Sequence, residues 1–251
     1  MRRALVAGLV VLLAATGSGC ALEASEPPDE EPRVVAPPVE PVSPAVPEAV
    51  RVRVPVPRAA SFARRAQELT VRVRNVSCLG VGVGSGFAVA RDLLITNRHV
   101  LAGASVLEVS TWDGRTLDVE AAEVGVLGDI GVALVDGRLP RVGAYGAPPP
   151  PGAPVTVAGY PLGGRLDLRP GTVIDYVDGA RFDIPGRVMR FSARVEPGNS
   201  GGPVLNRRGR IVAVVFAIEL ATSYALAIPM DTLHALVRRG GFEPVPPCGS
   251  E

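Results

Sequence analysis

The sequence has few of the side chains that build metal clusters, and it lacks blocks of like charge. Its 251 residues include two histidines and three cysteines, too few for a Cys/His cluster of the usual spacing, which argues against a zinc function. The 26 basic side chains, all arginine, and the 25 acidic ones leave a formal net charge of +1. Because no run of like charge is long enough to follow a phosphate backbone, nucleic acid is not an expected partner.

Long hydrophobic runs are also scarce. The one strongly apolar run, residues 4–15, follows two arginines and is too short to cross a bilayer of about 30 Å as a helix, but it suits the core of a signal peptide. The next five residues end at Cys20 and resemble the lipobox of bacterial lipoproteins, in which the cysteine carries the lipid. We therefore expect residues 1–20 to be a signal peptide and Cys20 the lipid attachment site, with ordinary cleavage or an uncleaved anchor as alternatives.

Each of these alternatives places the domain outside the cytoplasm, at the cell surface or in the periplasm, where disulfides persist. Residues 21–60 contain ten prolines, a spacing that no helix or central strand survives. This segment is interpreted as a disordered, Pro-rich linker, either a semi-extended spacer or a leader without a spacing role.

Residues 61–251 form the predicted globular domain, in which short β-rich runs alternate with Gly and Pro. Their number and spacing favour an all-β sandwich or barrels over βαβ units. A run of four prolines at 148–151 divides them into two groups, and Asp231 is the predicted N-cap of a helix over 231–239. The twelve predicted strands are 71–76, 87–90, 93–96, 106–111, 116–121, 130–135, 155–160, 171–177, 188–193, 204–205, 211–218 and 224–228.

The segment 198–203, Gly-Asn-Ser-Gly-Gly-Pro, has the composition of a nucleophile turn. Glycines around Ser200 allow a tight turn that exposes the hydroxyl and aims backbone N–H groups at one point, as an oxyanion requires. Such a serine needs a base, and His99, just after an apolar strand, is the better of the two histidines. His234 lies within the predicted helix, where a structural role is expected.

An orienting carboxylate is offered by Asp129, at the start of the apolar run 130–135. An aspartate at the start of a buried strand can lie against an imidazole while the rest of the strand fills a core. Asp113, Asp118 and Asp136 are the alternatives for this role.

In the order His99, Asp129, Ser200, these segments resemble the chymotrypsin/trypsin-like serine proteases, especially the bacterial HtrA-type branch, over residues 66–240. The resemblance implies two six-stranded antiparallel β-barrels, at about 66–146 and 152–230, followed by the C-terminal helix. It further implies a serine endopeptidase that acts on proteins or peptides through an acyl-enzyme and uses neither cofactor nor metal. The N–H groups of Gly198 and Ser200 would form the oxyanion hole.

Three finer expectations depend on this resemblance. Asn199 replaces the aspartate that pairs with a newly cut N-terminus in zymogen-type relatives, so that switch should be absent. No PDZ domain is expected after the helix, and the oligomeric state stays open. The primary specificity pocket should lie near Arg194, Phe216, Ala217 and Ile218, where Arg194 either selects acidic side chains or faces outward.

A disulfide between Cys78 and Cys248 is expected, because in the two-barrel architecture the terminal helix packs back against the first barrel. Unpaired surface thiols are the alternative.

Two other functions stay open at this point. An α/β-hydrolase esterase would fit the Gly-x-Ser-x-Gly spacing, but that fold needs an acidic residue and then a histidine after the serine, and it needs βαβ alternation. A catalytically silent binding module with a protease fold is the other alternative, although no triad member is substituted.

Overall fold

Alternating apolar residues in the first half of the domain form a barrel of six antiparallel strands. In the computed structural model, which describes residues 58–246 and Cys248, the strands follow the order β5-β4-β1-β2-β3-β6, and β5 pairs with β6 to close the barrel. The buried faces fill its core with aliphatic side chains such as Val73, Leu94, Leu101 and Val109. The strands are β1 Thr70–Ser77, β2 Gly80–Ala88, β3 Leu93–Thr96, β4 Ala104–Ser110, β5 Thr116–Gly125 and β6 Gly131–Val135.

The second half of the domain forms a second closed barrel, with the strand order β10-β11-β12-β9-β8-β7. Its core contains Val157, Met189, Phe191 and Val204, all fully buried. Short 3₁₀ turns occupy Pro161–Gly163 and Gly179–Phe182. The strands are β7 Pro154–Gly159, β8 Asp167–Asp178, β9 Arg187–Phe191, β10 Pro203–Asn206, β11 Ile211–Glu219 and β12 Tyr224–Pro229.

Three helices and a short thirteenth strand complete the described chain. The helices are α1 Arg58–Leu69, α2 Arg98–Leu101 and α3 Met230–Arg239, and the strand β13 Phe242–Pro244 pairs antiparallel with β5 on the first barrel. A further apolar cluster connects both barrels with α1 and α3, through side chains that include Leu69, Phe87, Ile228 and Leu233.

The predicted all-β class, the two six-stranded barrels and the C-terminal helix are confirmed, and each of the twelve predicted strands overlaps an observed one. The α/β-hydrolase alternative is inconsistent with two antiparallel barrels. None of the helices within 58–246 is long and apolar enough to span a bilayer. The predicted signal peptide, Cys20 and residues 21–57 of the Pro-rich linker lie outside the described residues.

Several boundaries were wrong or missed. Helix α1 was not predicted and begins within the segment assigned to the linker. Pro229, not Asp231, is the N-cap of α3; Asp231 lies in the first turn, where its carboxylate pairs with Arg187 at 2.7 Å. Strand β2 begins at Gly80, whereas the predicted strand began at residue 87. The first part was missed because its glycine-rich sequence has too few apolar side chains to indicate a strand.

Candidate active site

His99 and Asp129 lie together on the first barrel. His99 lies on α2, directly after β3, and its Nδ1 atom is 2.6 Å from Oδ2 of Asp129. The backbone N–H of His99 also donates to Oδ1 of Asp129 at 3.0 Å, so one carboxylate holds both the ring and its backbone. Because Nδ1 is engaged, the ring nitrogen left for proton transfer is Nε2.

Asp129 is itself held by the segment that carries His99. The buried Asn97 donates from Nδ2 to the backbone carbonyl of Asp129 at 2.8 Å. The His99 side chain is 48% exposed and that of Asp129 22%, so the imidazole is open to a substrate while the carboxylate is shielded. The pair is fixed from one side and accessible from the other.

The turn that carries Ser200 lies between β9 and β10 of the second barrel. Gly198 has φ +100°, and a Cβ there would collide with the Tyr160 carbonyl oxygen, so only glycine fits. Within the described part of the chain, the backbone N–H groups of Gly198 and Ser200 have no protein acceptor. Two unpaired N–H donors therefore flank the Ser200 side chain, which is partly exposed.

Ser85, on β2 of the first barrel, fastens this turn across the gap between the barrels. Its hydroxyl donates to the Gly198 carbonyl at 2.6 Å and accepts from the Tyr160 N–H at 2.9 Å. Its backbone N–H donates to the Ser200 carbonyl at 2.7 Å. The Thr96 hydroxyl donates to the Ser85 carbonyl at 2.7 Å. Since Thr96 is three residues before His99, these bonds bring the serine turn against the histidine segment.

Tyr160 is buried at the same junction of the barrels. Its hydroxyl donates to the Thr70 carbonyl at 3.3 Å, and burial raises the pKa of Tyr160 to about 12. The hydroxyl therefore stays protonated over the physiological range, and it connects β1 of the first barrel to the end of β7.

A cavity of about 250 Å³ opens beside Ser200. Its walls are aliphatic, except for Glu196, which pairs with Arg194 at 3.2 Å. The lining residues are Val195, Glu196, Pro197, Ser200, Val215, Ala217 and Ile218.

This arrangement can be compared with known proteins. The trypsin-like peptidase domain family matches residues 84–214, just over half of the chain. The chain belongs to this family. The matched segment contains both the His99–Asp129 pair and the Ser200 turn.

Several serine proteases resemble the chain in sequence. Serine protease Rv3671c of Mycobacterium tuberculosis is 30% identical over 196 residues, which cover 70% of this chain and 47% of that protein. HhoA of Synechocystis sp. is 32% identical over 196 residues, covering 67% of this chain and 46% of HhoA. The chain thus spans about half the length of the curated relatives it matches.

Solved structures resemble the fold. The crystal structure of the active form of the Rv3671c protease from M. tuberculosis superimposes with a TM-score of 0.65. It is 24% identical, and the match covers 84% of this chain and 96% of that one. At this identity the likeness is one of fold, and it agrees with the two barrels.

Two of the four residues predicted for the specificity pocket line the cavity beside Ser200. These are Ala217 and Ile218. Arg194 does not line it; its side chain is 78% exposed and paired with Glu196. Phe216 does not line it either, because it packs in the core edge-to-face against Phe182.

The alternatives for the base and its carboxylate lie elsewhere. His234 is on the exposed side of α3, where its ring meets Tyr145 edge-on at 5.7 Å. Asp113 is bonded to Thr111 and Arg115, and the Thr111 hydroxyl, followed by Arg115, lowers the pKa of its carboxyl. Asp118 and Asp136 are exposed and are joined to each other through their backbones.

Cys78 and Cys248 form the expected disulfide. Their Cα atoms are 5.8 Å apart, within the normal range for a bridge. The tail reaches Cys78 along the first barrel, through the β13–β5 pairing and a bond from the Val245 N–H to Ala122.

Sequence reasoning missed the residues that join the two halves of the site. Ser85 stands between two glycines in the glycine-rich strand β2, and its hydrogen-bond partners are distant in sequence, so the local sequence does not reveal its role. Asn97 adjoins His99 and offered no separate signal. The apolar walls Val195, Pro197 and Val215 look like ordinary strand and turn residues.

Proposed function

We propose that the chain is an exported serine endopeptidase that hydrolyses peptide bonds through His99, Asp129 and Ser200. The observation that carries this proposal is the pair of hydrogen bonds that the Asp129 carboxylate accepts from the ring and backbone of His99. The Ser200 turn is hydrogen-bonded to the same segment through Ser85. The membership of the trypsin-like peptidase family supports the same reaction class.

The reaction proceeds in two steps. His99 Nε2 takes the proton of the Ser200 hydroxyl as Oγ attacks the peptide carbonyl, and the protonated imidazole then gives that proton to the departing amine. Water, deprotonated by the same nitrogen, cleaves the acyl-enzyme and regenerates Ser200. Asp129 keeps the proton of the neutral ring on Nδ1 and stabilises the charged ring.

The unpaired N–H groups of Gly198 and Ser200 supply the oxyanion hole. Charge develops on the substrate carbonyl oxygen in both steps, and a preorganised donor of this kind contributes about 3 kcal/mol to transition-state stabilisation. Hydrogen bonds from Ser85 to the Gly198 carbonyl and from the Tyr160 N–H to Ser85 hold the Gly198 turn in place.

The cavity beside Ser200 would receive the side chain that precedes the cleaved bond. Its aliphatic walls favour a small or medium apolar side chain, since a charged one would lose hydration without a partner. Glu196 is engaged with Arg194, so a basic side chain gains little there.

Activity would not require a newly cut N-terminus. Asn199 is buried and uncharged, so it cannot form the buried ion pair that a cleavage-activated protease uses. We expect a chain that begins near Ala60 to hydrolyse peptides without further trimming.

Export remains part of the proposal. The apolar run before Cys20, the lipobox-like residues and the Cys78–Cys248 disulfide together favour a lipid-anchored protein at the cell surface or in the periplasm. Radiolabelled palmitate incorporated by the natural chain, and absent from C20A, would test the anchor.

The reaction is tested by peptide hydrolysis with single variants. We expect Ser200→Ala and His99→Ala each to lower kcat/KM by about 10⁴-fold or more with the fold unchanged. His234→Ala is the matched control and should leave the rate within about twofold, because surface substitutions away from the site act weakly. Loss of activity in H234A with H99A still active would contradict the assignment.

A further inference from the structure

A second cavity lies on the first barrel and is lined by four arginines. Its volume is about 600 Å³, and it shares no lining residue with the cavity beside Ser200. Four of the seven lining residues are cationic, and none is acidic. The lining residues are Arg91, Arg115, Arg138, Leu139, Pro140, Arg141 and Val142.

Three separate segments supply these arginines, and hydrogen bonds hold the segments together. Arg91 lies in the β2–β3 turn, where its carbonyl accepts from the Leu139 N–H at 2.7 Å. Arg115, in the β4–β5 turn, donates from Nη1 to the Arg138 carbonyl at 3.1 Å. These bonds fix the relative positions of the three segments before any ligand arrives.

Two of the four guanidinium groups have an acidic partner. Arg115 pairs with Asp113 at 3.0 Å, and Arg141 pairs with Glu68 at 2.6 Å. Glu68 is shared with Arg64, and hydrogen bonds first from Arg64 and then from Arg141 lower the pKa of its carboxyl. The carboxylates of Asp113 and Glu68 thus form ion pairs with three arginines in total.

Arg91 and Arg138 have no carboxylate partner within residues 58–246. Asp92 and Asp136, on neighbouring turns, and Asp118, in β5, do not line the cavity, and among the described residues they form no ion pair with these arginines. Like charges held side by side repel, and a multivalent anion between them would remove that repulsion.

The geometry points to this arginine cavity as a binding site for phosphate groups. Guanidinium forks approaching from three segments suit a tetrahedral phosphate, whose several oxygens accept bonds from different directions. A carboxylate would occupy one fork only. The cavity exceeds a single phosphate ion in size, so it suits an oligophosphate or a phosphate-bearing lipid headgroup.

Titration calorimetry of the full chain with tripolyphosphate tests the site. We expect Arg91→Gln/Arg138→Gln to weaken binding by about tenfold or more, since charge-assisted bonds to phosphate are lost while both ion pairs remain. Arg207→Gln/Arg208→Gln, in the exposed β10–β11 turn, removes equal charge from the second barrel and should leave affinity within about twofold.

A second arm identifies the source of the phosphate. Sedimentation of the same proteins with phosphatidylcholine vesicles, with and without phosphatidylglycerol, measures headgroup binding independently of free phosphate. Binding that depends on Arg91 and Arg138 in either experiment supports the site. The experiment in which this dependence appears identifies the source of the phosphate. Equal affinities for all three proteins in both arms, or no binding in either, would overturn it.

Peptide hydrolysis by the arginine variants separates this site from the proposed catalysis. Both double variants should keep the rate of the natural chain, because neither touches the residues around Ser200. A phosphate site without peptidase activity, or peptidase activity without a phosphate site, would refute one proposal and leave the other standing.

Discussion

The two barrels hold their halves of the site in different ways. The first barrel presents His99 from helix α2 and Asp129 from the β5–β6 turn, with each bond between groups of that same barrel. The second barrel presents Ser200 on a turn whose position depends on contacts from the other barrel, made chiefly by Ser85.

Because of this difference, substitutions in the two halves should have different effects. A change in the first half should alter the proton transfer and leave the architecture alone, because the His99–Asp129 pair is partly exposed and lies in no core cluster. A change at the Ser200 turn should disturb the contact between the barrels as well, because Gly201 and Gly202 are buried against it.

Among the variants that compare the two halves, Asp129→Asn should have the largest effect. The amide keeps the shape but offers an N–H to Nδ1 and so favours the wrong tautomer; we expect kcat to fall about 10⁴-fold with an unchanged thermal midpoint. D136N, which alters an exposed carboxylate on the same barrel, should retain full activity. If D129N remained active and D136N or D118N did not, another carboxylate would orient the base.

Gly201→Ala should displace the Ser200 turn of the second barrel. Gly201 has φ +82°, and a Cβ there would collide with the Ser85 carbonyl oxygen and the Thr96 hydroxyl. Displacing the turn should lower kcat/KM by about 100-fold, the usual effect of misplacing a reacting group by about an ångström.

Gly152→Ala is the control for that variant. Gly152 has the same φ of +82° and no atom within 4 Å of the added Cβ, so it reports the backbone strain alone, about 1 kcal/mol. Equal losses of activity and stability in the two variants would show that the cross-barrel contact is not what positions Ser200.

The smallest effect on activity is expected from Cys78→Ser/Cys248→Ser. The bridge joins residues 170 apart and ties the tail to the first barrel, so its loss should reduce the free energy of unfolding by up to about 5 kcal/mol in the chain-entropy description. Peptide hydrolysis at 25 °C should persist, since neither cysteine adjoins the site. An unchanged thermal midpoint would show that the bridge does not stabilise the fold.

Local sequence pattern located most of the strands and nominated the candidate triad. Short apolar runs mark β3 and β6, and glycines around Ser200 mark the turn, because each signal is contained within a few adjacent residues. The two-barrel architecture was predicted from the family resemblance, which rests on the order His99, Asp129, Ser200.

Contacts between distant segments could not be predicted in this way. Ser85 bonds to groups 75 and 113 residues away, and the arginine cavity draws on three turns, none of which is unusual alone. Helix α1 was missed because the prolines before it and its own arginines obscure a buried stripe that includes Ala66 and Leu69.

The central claim is that Ser200 is a nucleophile activated by His99, and fluorophosphonate labelling tests it most directly. Mass spectrometry of the folded protein should find one adduct, on Ser200 in the natural chain, absent from S200A and formed at least about 100-fold more slowly in H99A. An adduct on another serine, equal rates for H99A and the natural chain, or no adduct on well-folded protein would contradict it.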